Sequence, residues 1–389
     1  MTAQVAKVDV SDSHVSVTWG DGPQSKFDNI FLRDHCQCDK HFHSVTKQRT
    51  QNTFEIPRDV RGQEASVAGD GITVKWAHDG HESTYSGEWL RLHSYDPVFS
   101  KERQDNTPKV PQTFWVKTDV EGKLPTVEYK AVMEGDIPGV QEWTRKLYEY
   151  GFCMISGVPT SPEATEKLVE RLAYIRHTHY GGFWDFTADM AKADLAYSNY
   201  HLACHTDGTY WTEAPGLQLF HLLHHDGTGG ETMLADAFKL AELLKKKFPQ
   251  HYETLSTIRV PAHSAGEETT CISQAIEEPI FVHDPVTKEL VKVRWNNDDR
   301  SVMDKWDNPE DVVKFYDAIR EWVRLIEENE VVIKLQPGTC LIFDNWRVMH
   351  GRKAFTGSRR MCGAYVARDD YISRVRLLNL GREAVLKKL

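Results

Sequence analysis

A His-x-Asp triplet, His205-Thr206-Asp207, and a histidine far downstream, His350 in Asp344-Asn345-Trp346-Arg347-Val348-Met349-His350-Gly351-Arg352, constrain this chain more than any other feature. On a strand, residues i and i+2 point to one face, so His205 and Asp207 present an imidazole and a carboxylate to one point. His350 completes the set if the fold carries it there. A lone triplet of this kind arises readily in a chain with 18 histidines, and a second one stands at His224-His225-Asp226. That second triplet runs into Gly227-Thr228-Gly229-Gly230, a turn-rich loop without strand pattern. The first follows apolar Leu202-Ala203 and leads into an aromatic-rich stretch, so it is the better ligand pair.

Two histidines and one carboxylate on one face of a metal, with the other positions open, is the arrangement of non-haem Fe(II) oxygenases. The rest of the chain leaves room for such an enzyme. Its 389 residues bury a sizeable core and suffice for more than one domain. No apolar run approaches the roughly 20 residues that span a bilayer. The opening Met1-Thr2-Ala3-Gln4-Val5 has neither a signal-peptide apolar region nor an Arg-rich amphipathic segment, so the expected location is cytoplasmic, with no membrane partner. A net charge of −10 argues against nucleic-acid binding, which needs basic surface to displace counterions. Lys245-Lys246-Lys247 reads as a solvated helix end. Seven cysteines, an odd number, argue against a disulfide framework.

Residues 1–95 read as a small β domain, with strands at Val15–Trp19, Ile30–Leu32 and Ile72–Trp76 and turns at Asp21-Gly22 and Asp79-Gly80. Cys36, Cys38 and His41 lie within six residues, and His81 follows a turn. Such a set suits a closed tetrahedral zinc site holding together a domain with a small core. The competing reading is a pair of buried free thiols beside surface histidines such as His35, His43 and His78. Residues 96–128, rich in Pro and charge, read as a linker. Residues 129–389 then form the larger domain. Glu142–Tyr150 and a segment from Ser161 to about His177 are expected helices, the second opened by the capping sequence Thr160-Ser161-Pro162-Glu163. Asp236–Phe248 and Pro309–Glu327 have helical apolar spacing. Strands are expected at Phe152–Ile155, Leu217–Leu223, Thr232–Ala235, Val331–Leu335, Thr339–Phe343 and Met361–Val366. The expected fold is mostly β with flanking helices, a double-stranded β-helix (jelly roll).

Taken in order, His205-x-Asp207, Gly229-Gly230-Glu231-Thr232, the block from Asp344 to Arg352, and Arg359 preceding Gly363-Ala364-Tyr365 resemble the 2-oxoglutarate-dependent dioxygenases of carnitine biosynthesis. This is the γ-butyrobetaine/trimethyllysine hydroxylase family. The likeness covers nearly the whole chain and includes Leu32-Arg33-Asp34-His35-Cys36, which in this family belongs to a zinc-binding domain. Where the family's zinc segment has a third cysteine, this chain has His41; imidazole is also a zinc ligand, so Cys36, Cys38, His41 and His81 remain a workable set.

The resemblance implies Fe(II) on His205, Asp207 and His350, with 2-oxoglutarate as cosubstrate and ascorbate as reductant. Arg359 matches the family arginine for the far carboxylate of 2-oxoglutarate, where a planar guanidinium forms a bidentate pair, and Thr232 matches a hydroxyl donor to the same group. Arg360 faces the other side of that strand. Tyr180, Trp184 and Tyr197 match an aromatic cage for a quaternary ammonium, with Tyr365 a fourth wall. Asn296 and Asn297 resemble donors to the substrate carboxylate. From residue type alone, Arg359 is a surface arginine and the aromatics are core; the resemblance assigns their roles.

Within the family, Tyr180-Gly181-Gly182-Phe183-Trp184-Asp185-Phe186-Thr187 and Ala367-Arg368-Asp369-Asp370 look more like the trimethyllysine enzymes. Asp194 stands where γ-butyrobetaine enzymes tend to carry asparagine, and an added carboxylate suits the α-ammonium that only trimethyllysine has. The implied reaction is C3 hydroxylation of N6,N6,N6-trimethyl-L-lysine coupled to decarboxylation of 2-oxoglutarate to succinate and CO2, the first step of carnitine biosynthesis, by a homodimer acting on a small molecule. The alternative substrate is γ-butyrobetaine. Outside enzymes, a trimethyllysine reader would need the cage without the metal triad, and a metal-binding jelly roll would need neither Arg359 nor Thr232.

Overall fold

A computed structural model describes residues 4–99, 109–187 and 198–387. The chain divides into two compact units, residues 1–109 with 383–389, and residues 110–382.

The first unit contains two three-stranded antiparallel sheets, β1 (Val5–Val10), β2 (His14–Trp19), β3 (Gln24–Asp28) and β4 (Gly62–Ala68), β5 (Gly71–Trp76), β6 (Glu82–Tyr85). Strict alternation in β2 and β5 sends Val15, Val17 and Trp19, and Ile72, Val74 and Trp76, into one core. The indole N–H groups of these two strands are satisfied by a serine of the adjoining strand: Trp19 donates to Ser25 Oγ and Trp76 to Ser83 Oγ, both at 2.8 Å. Ile30–Leu32, expected as a strand, lies in helix α1 (Asn29–Asp34). A three-residue apolar run carries no periodicity to separate the two. Helix α2 (Gly87–Leu92) starts at Ser86, whose hydroxyl accepts from Trp89 N–H at 3.2 Å.

The second unit is built on two facing sheets. One has six strands in the order β9 (Trp184–Thr187), β16 (Arg359–Val366), β11 (Leu217–His225), β14 (Thr339–Asp344), β8 (Phe152–Ser156), β7 (Thr126–Glu128). The other has four: β10 (Leu202–His205), β15 (Val348–Arg352), β12 (Thr232–Asp236), β13 (Val331–Ile333). Leu341 and Phe343 of β14 point between the sheets with Leu234 and Val348, while Cys340 and Ile342 point out against helices. The covering helices on that side are α3 (Asp136–Tyr150), α4 (Pro162–Leu172) and α8 (Arg368–Leu380). On the other sheet α5 (Ala237–Lys247), α6 (Pro249–Thr257) and α7 (Asp311–Asn329) cover Met233, Ala235 and Met349. The strands read as near-continuous apolar runs because both of their faces are buried. Mostly sheet with flanking helices is therefore what forms, and among the described residues no helix is long and apolar enough to cross a membrane.

Several expectations are corrected. Residues 110–128 are no linker: Trp115 is buried, and β7 pairs in parallel with β8. Helix α4 ends at Leu172 instead of near His177, because the chain beyond it pairs with β16; Ile175 bridges Val366 and Arg176 N–H donates to Tyr365 O at 2.8 Å. His224 and His225 end a strand and do not sit in a loop.

A buried ion pair fixes the turn that carries the chain from β14 in one sheet to β15 in the other. Arg347 and Asp236 are about 1% exposed, and the guanidinium donates to both carboxylate oxygens at 2.7 and 3.3 Å. It also donates to the carbonyls of Thr113, at 2.6 Å, and Glu149, at 3.0 Å. Asp236 in turn caps α5 through Phe238 N–H and accepts Trp115 N–H.

Candidate active site

Strand β10 pairs with β15 so that His205 lies opposite His350, with ring centroids 4.4 Å apart. The close approach is possible because residue 351 is glycine: a Cβ there would lie 2.7 Å from Leu202 O. Asp207 sits just beyond the end of β10, and its main chain is held by Asn345, which accepts Asp207 N–H at 2.8 Å and donates to Asp207 O at 3.0 Å. Asp207 Oδ1 is 3.1 Å from His205 Nε2 and 3.8 Å from His350 Nε2. Cis ligands on an octahedral metal with bonds near 2.1 Å are separated by about 3 Å, so the donor set fits such an ion. His205 Nδ1–H donates to Ala203 O at 2.7 Å, which leaves Nε2 as the lone-pair nitrogen aimed at the site.

Burial alone would raise the Asp207 carboxyl and lower both imidazoles. The two histidines and the Tyr365 hydroxyl overcome it at Asp207, which is held well below the usual carboxylate range. Asp207 likewise pulls His205 up to about 9 despite burial, whereas burial and the neighbouring His205 push His350 down to about 3. A buried carboxylate thus attracts positive charge at one point, where a divalent cation substitutes for the proton.

The three residues open into a cavity of about 460 Å³ between the sheets, and most of the expected site residues line it. Trp184 lies edge-on to Tyr365, centroids 6.1 Å apart, and Tyr180 exchanges a 3.0 Å hydrogen bond with Tyr210. Trp184 pairs with Gly363 across β9 and β16, and a Cβ on residue 363 would meet the indole at 2.4 Å. Arg359 is 7% exposed and lines the cavity beside Thr232. No carboxylate among the described residues pairs with it; burial, then the nearby Arg352, push its pKa down to about 10. A buried cation in that state favours an anionic ligand. Arg360, on the opposite face, pairs with Asp185 at 2.9 Å.

Other expectations fare differently. Asn296 lines the cavity, but Asn297 is exposed, bonds Arg300 at 3.4 Å and is not among the lining residues. Asn297 turns toward Arg300 instead, so the two asparagines do not face the cavity together. Asp194 and Tyr197 lie outside the described residues. Sequence reading missed Tyr210, Gln218, His263, Asp298 and Asp299, all on the cavity wall. Of these only Tyr210 carried a signal, as part of the aromatic run after Asp207. Asn345 and Arg352 stood in the quoted block but were given no role.

In the N-terminal unit, Cys36, Cys38, His41 and His81 converge, with all candidate ligand atoms within 4.8 Å of one another. Cys36 Sγ lies 3.4 Å and Cys38 Sγ 3.6 Å from His81 Nε2, and Cys38 Sγ lies 3.3 Å from His41 Nδ1. The edge of a zinc tetrahedron with sulfur and nitrogen ligands is about 3.6 Å. Burial and then Arg33 lower His41 to about 4, keeping the imidazole neutral and able to donate its lone pair.

The comparisons agree with this geometry. Residues 114–365 match the model of the taurine catabolism dioxygenase TauD, TfdA family, and residues 6–91 match that of the gamma-butyrobetaine hydroxylase-like N-terminal domain. The chain is 49% identical to a trimethyllysine dioxygenase of Meyerozyma guilliermondii, over 99% of this chain and 98% of that one. It is 36% identical to the mitochondrial trimethyllysine dioxygenase of Homo sapiens, over 91% and 83%. A gamma-butyrobetaine dioxygenase of Pseudomonas sp. is 32% identical, over 94% of each chain. With the metal triad in place and these matches spanning both units, the chain belongs to the TauD, TfdA family of dioxygenases, among the relatives of trimethyllysine dioxygenase.

Proposed function

We propose that this chain hydroxylates free N6,N6,N6-trimethyl-L-lysine at C3, coupled to oxidative decarboxylation of 2-oxoglutarate to succinate and CO2, the first step of carnitine biosynthesis. The observation that carries this reading is one cavity that holds a two-histidine, one-carboxylate triad, a buried arginine with no carboxylate partner among the described residues, and an aromatic wall. Higher identity to trimethyllysine dioxygenases than to a gamma-butyrobetaine dioxygenase favours the longer substrate.

Fe(II) held by His205, Asp207 and His350 supplies the redox chemistry when bound, and ascorbate keeps it reduced. The chain's own part is binding and placement. Arg359 receives the distal carboxylate of 2-oxoglutarate in a bidentate pair, with Thr232 donating its hydroxyl. Tyr180, Trp184 and Tyr365, joined by Tyr197, offer ring faces to the trimethylammonium group, which has no N–H to donate. Asn296 donates to the substrate carboxylate. The N-terminal domain, residues 1–95, holds a structural zinc on Cys36, Cys38, His41 and His81, and the enzyme works as a homodimer.

The test offers trimethyllysine and γ-butyrobetaine together to one purified sample with Fe(II), 2-oxoglutarate and ascorbate. Mass spectrometry is expected to find the lysine derivative gaining one oxygen first, with matching succinate. Hydroxylation of γ-butyrobetaine in preference would overturn the substrate, and succinate independent of either amine would overturn the reaction.

A further inference from the structure

Trp295, which leads directly into the loop from Asn296 to Asp299, is bonded to the metal-binding segment. Thr206, between the two ligands of the triplet, donates its N–H to Trp295 O at 2.7 Å, and Trp295 N–H donates to Thr206 Oγ1 at 2.9 Å. Asn296 follows directly. Its side-chain oxygen accepts Asp298 N–H at 3.0 Å and Asp299 N–H at 3.4 Å, and its amide donates to Asp299 Oδ2 at 2.7 Å. His263 N–H holds Asp299 O at 3.0 Å from the other side. These bonds brace the loop, and Asn296, Asp298 and Asp299 line the same cavity as the triad, with the Asp299 carboxylate the one held by Asn296.

The substrate's atom order demands an acidic group in this place. The hydroxylated carbon of trimethyllysine is bonded to the carbon that bears the α-ammonium and lies several bonds from the quaternary nitrogen. When the target carbon is near the triad, the α-ammonium is within a few ångströms of it too. The trimethylammonium end then extends toward the aromatic residues of the six-stranded sheet. γ-Butyrobetaine has no α-ammonium and gains nothing from a carboxylate there.

Resting on the proposed function, we infer that Asp299 is a specificity-determining residue that receives the substrate's α-ammonium, with Asn296 holding its carboxylate in the correct orientation. The sequence alone pointed to Asp194 for this role; Asp299 supplies it from a loop tied to the metal ligands.

The experiment compares kcat/KM for trimethyllysine and for 6-(trimethylammonio)hexanoate, the same molecule without the α-ammonium, in wild type, Asp299→Asn, Asp299→Glu and Asp194→Asn. Losing a charge-assisted hydrogen bond lowers Asp299→Asn on trimethyllysine by at least about 10-fold. The hexanoate analogue and the KM for 2-oxoglutarate are expected to change less than about two-fold. Asp299→Glu keeps the charge and retains the preference for the α-ammonium, which carries the test if the amide variant does not fold. Equal losses on both substrates, no loss, or loss of discrimination in Asp194→Asn alone would overturn the assignment. Wild-type protein that turns over neither amine overturns the function itself, a separate result from wild-type turnover beside an indifferent Asp299→Asn.

Discussion

Tyr365 donates its hydroxyl proton to Oδ2 of Asp207 at 2.7 Å, so a residue expected as a cage wall also holds a ligand of the metal triad. Its phenol is buried, and burial with the adjoining Asp207 carboxylate raises its pKa far above the ordinary value, so it stays a donor across the working pH range. The two roles separate in a single variant.

Tyr365→Phe keeps the ring and removes the donor. Partners of metal ligands typically matter by 10- to 100-fold, so Fe(II) affinity and kcat are expected to fall by about 10-fold while the KM for trimethyllysine moves less than about two-fold. Iron titration followed by steady-state kinetics reads both. A raised substrate KM with unchanged iron affinity would assign Tyr365 to the cage alone.

Arg359→Lys retains charge but loses the planar fork. The KM for 2-oxoglutarate is expected to rise about 10-fold or more with little change in the KM for the amine substrate. A rise in the amine KM instead would place the arginine at the wrong end of the cavity.

Removing one partner of the Arg347–Asp236 pair leaves a buried charge uncompensated. Asp236→Ala is expected to cost about 3–5 kcal/mol, seen as a large drop in Tm, and the double change Asp236→Leu with Arg347→Met is expected to cost less than the single one. A single variant as stable as wild type would show that the network contributes little.

His221 is fully buried, with Nδ1 against Thr165 Oγ1 at 2.7 Å and Nε2 accepting Gly338 N–H at 3.2 Å. Burial lowers its pKa from 6.5 to about 4. A depressed histidine pKa means the unfolded chain binds the proton first, so its share of stability is complete above about pH 6.5 and is lost as pH falls toward 4. The loss is of the order of 2–3 kcal/mol. Urea midpoints measured from pH 7 to 4 for wild type and His221→Gln are expected to converge at the acid end; parallel curves would rule His221 out.

Protein purified without added zinc is expected to carry about one zinc per chain by elemental analysis. Cys38→Ser is expected to lose it and lower the unfolding temperature of the N-terminal unit, while iron binding by the other unit persists. Zinc retained by the variant would remove Cys38 from the ligand set.

The triad was legible because ligand chemistry demands particular residue types, and His205, Asp207 and His350 kept that signature in sequence. The strands of the larger unit were legible for a similar reason: β14 and β11 are apolar on both faces. Ile30–Leu32 failed because three residues contain no period, and the helix there is set by contacts with the core around Leu32 and Leu90. The run from 96 to 128 looks like linker because the prolines and charges of its first half dominate the average, while the buried Trp115, Val120 and Val127 of its second half weigh little in it. That Asn297 faces out while Asn296, Asp298 and Asp299 line the cavity could not be told from sequence, since it depends on bonds from Trp295 to Thr206 and from Asp299 to His263 across the fold.

The indole of Trp184 rests where residue 363 has no side chain. Under the proposed function, the room beside this tryptophan for a head group is thus set by a backbone position on the neighbouring strand. Alanine there would bring its Cβ to 1.9 Å from Leu219 O as well as 2.4 Å from the indole, so the strand pairing and the ring would both have to move. Relatives that accept a different amine are accordingly to be sought by what they carry beneath the tryptophan as much as by the aromatic residues around it.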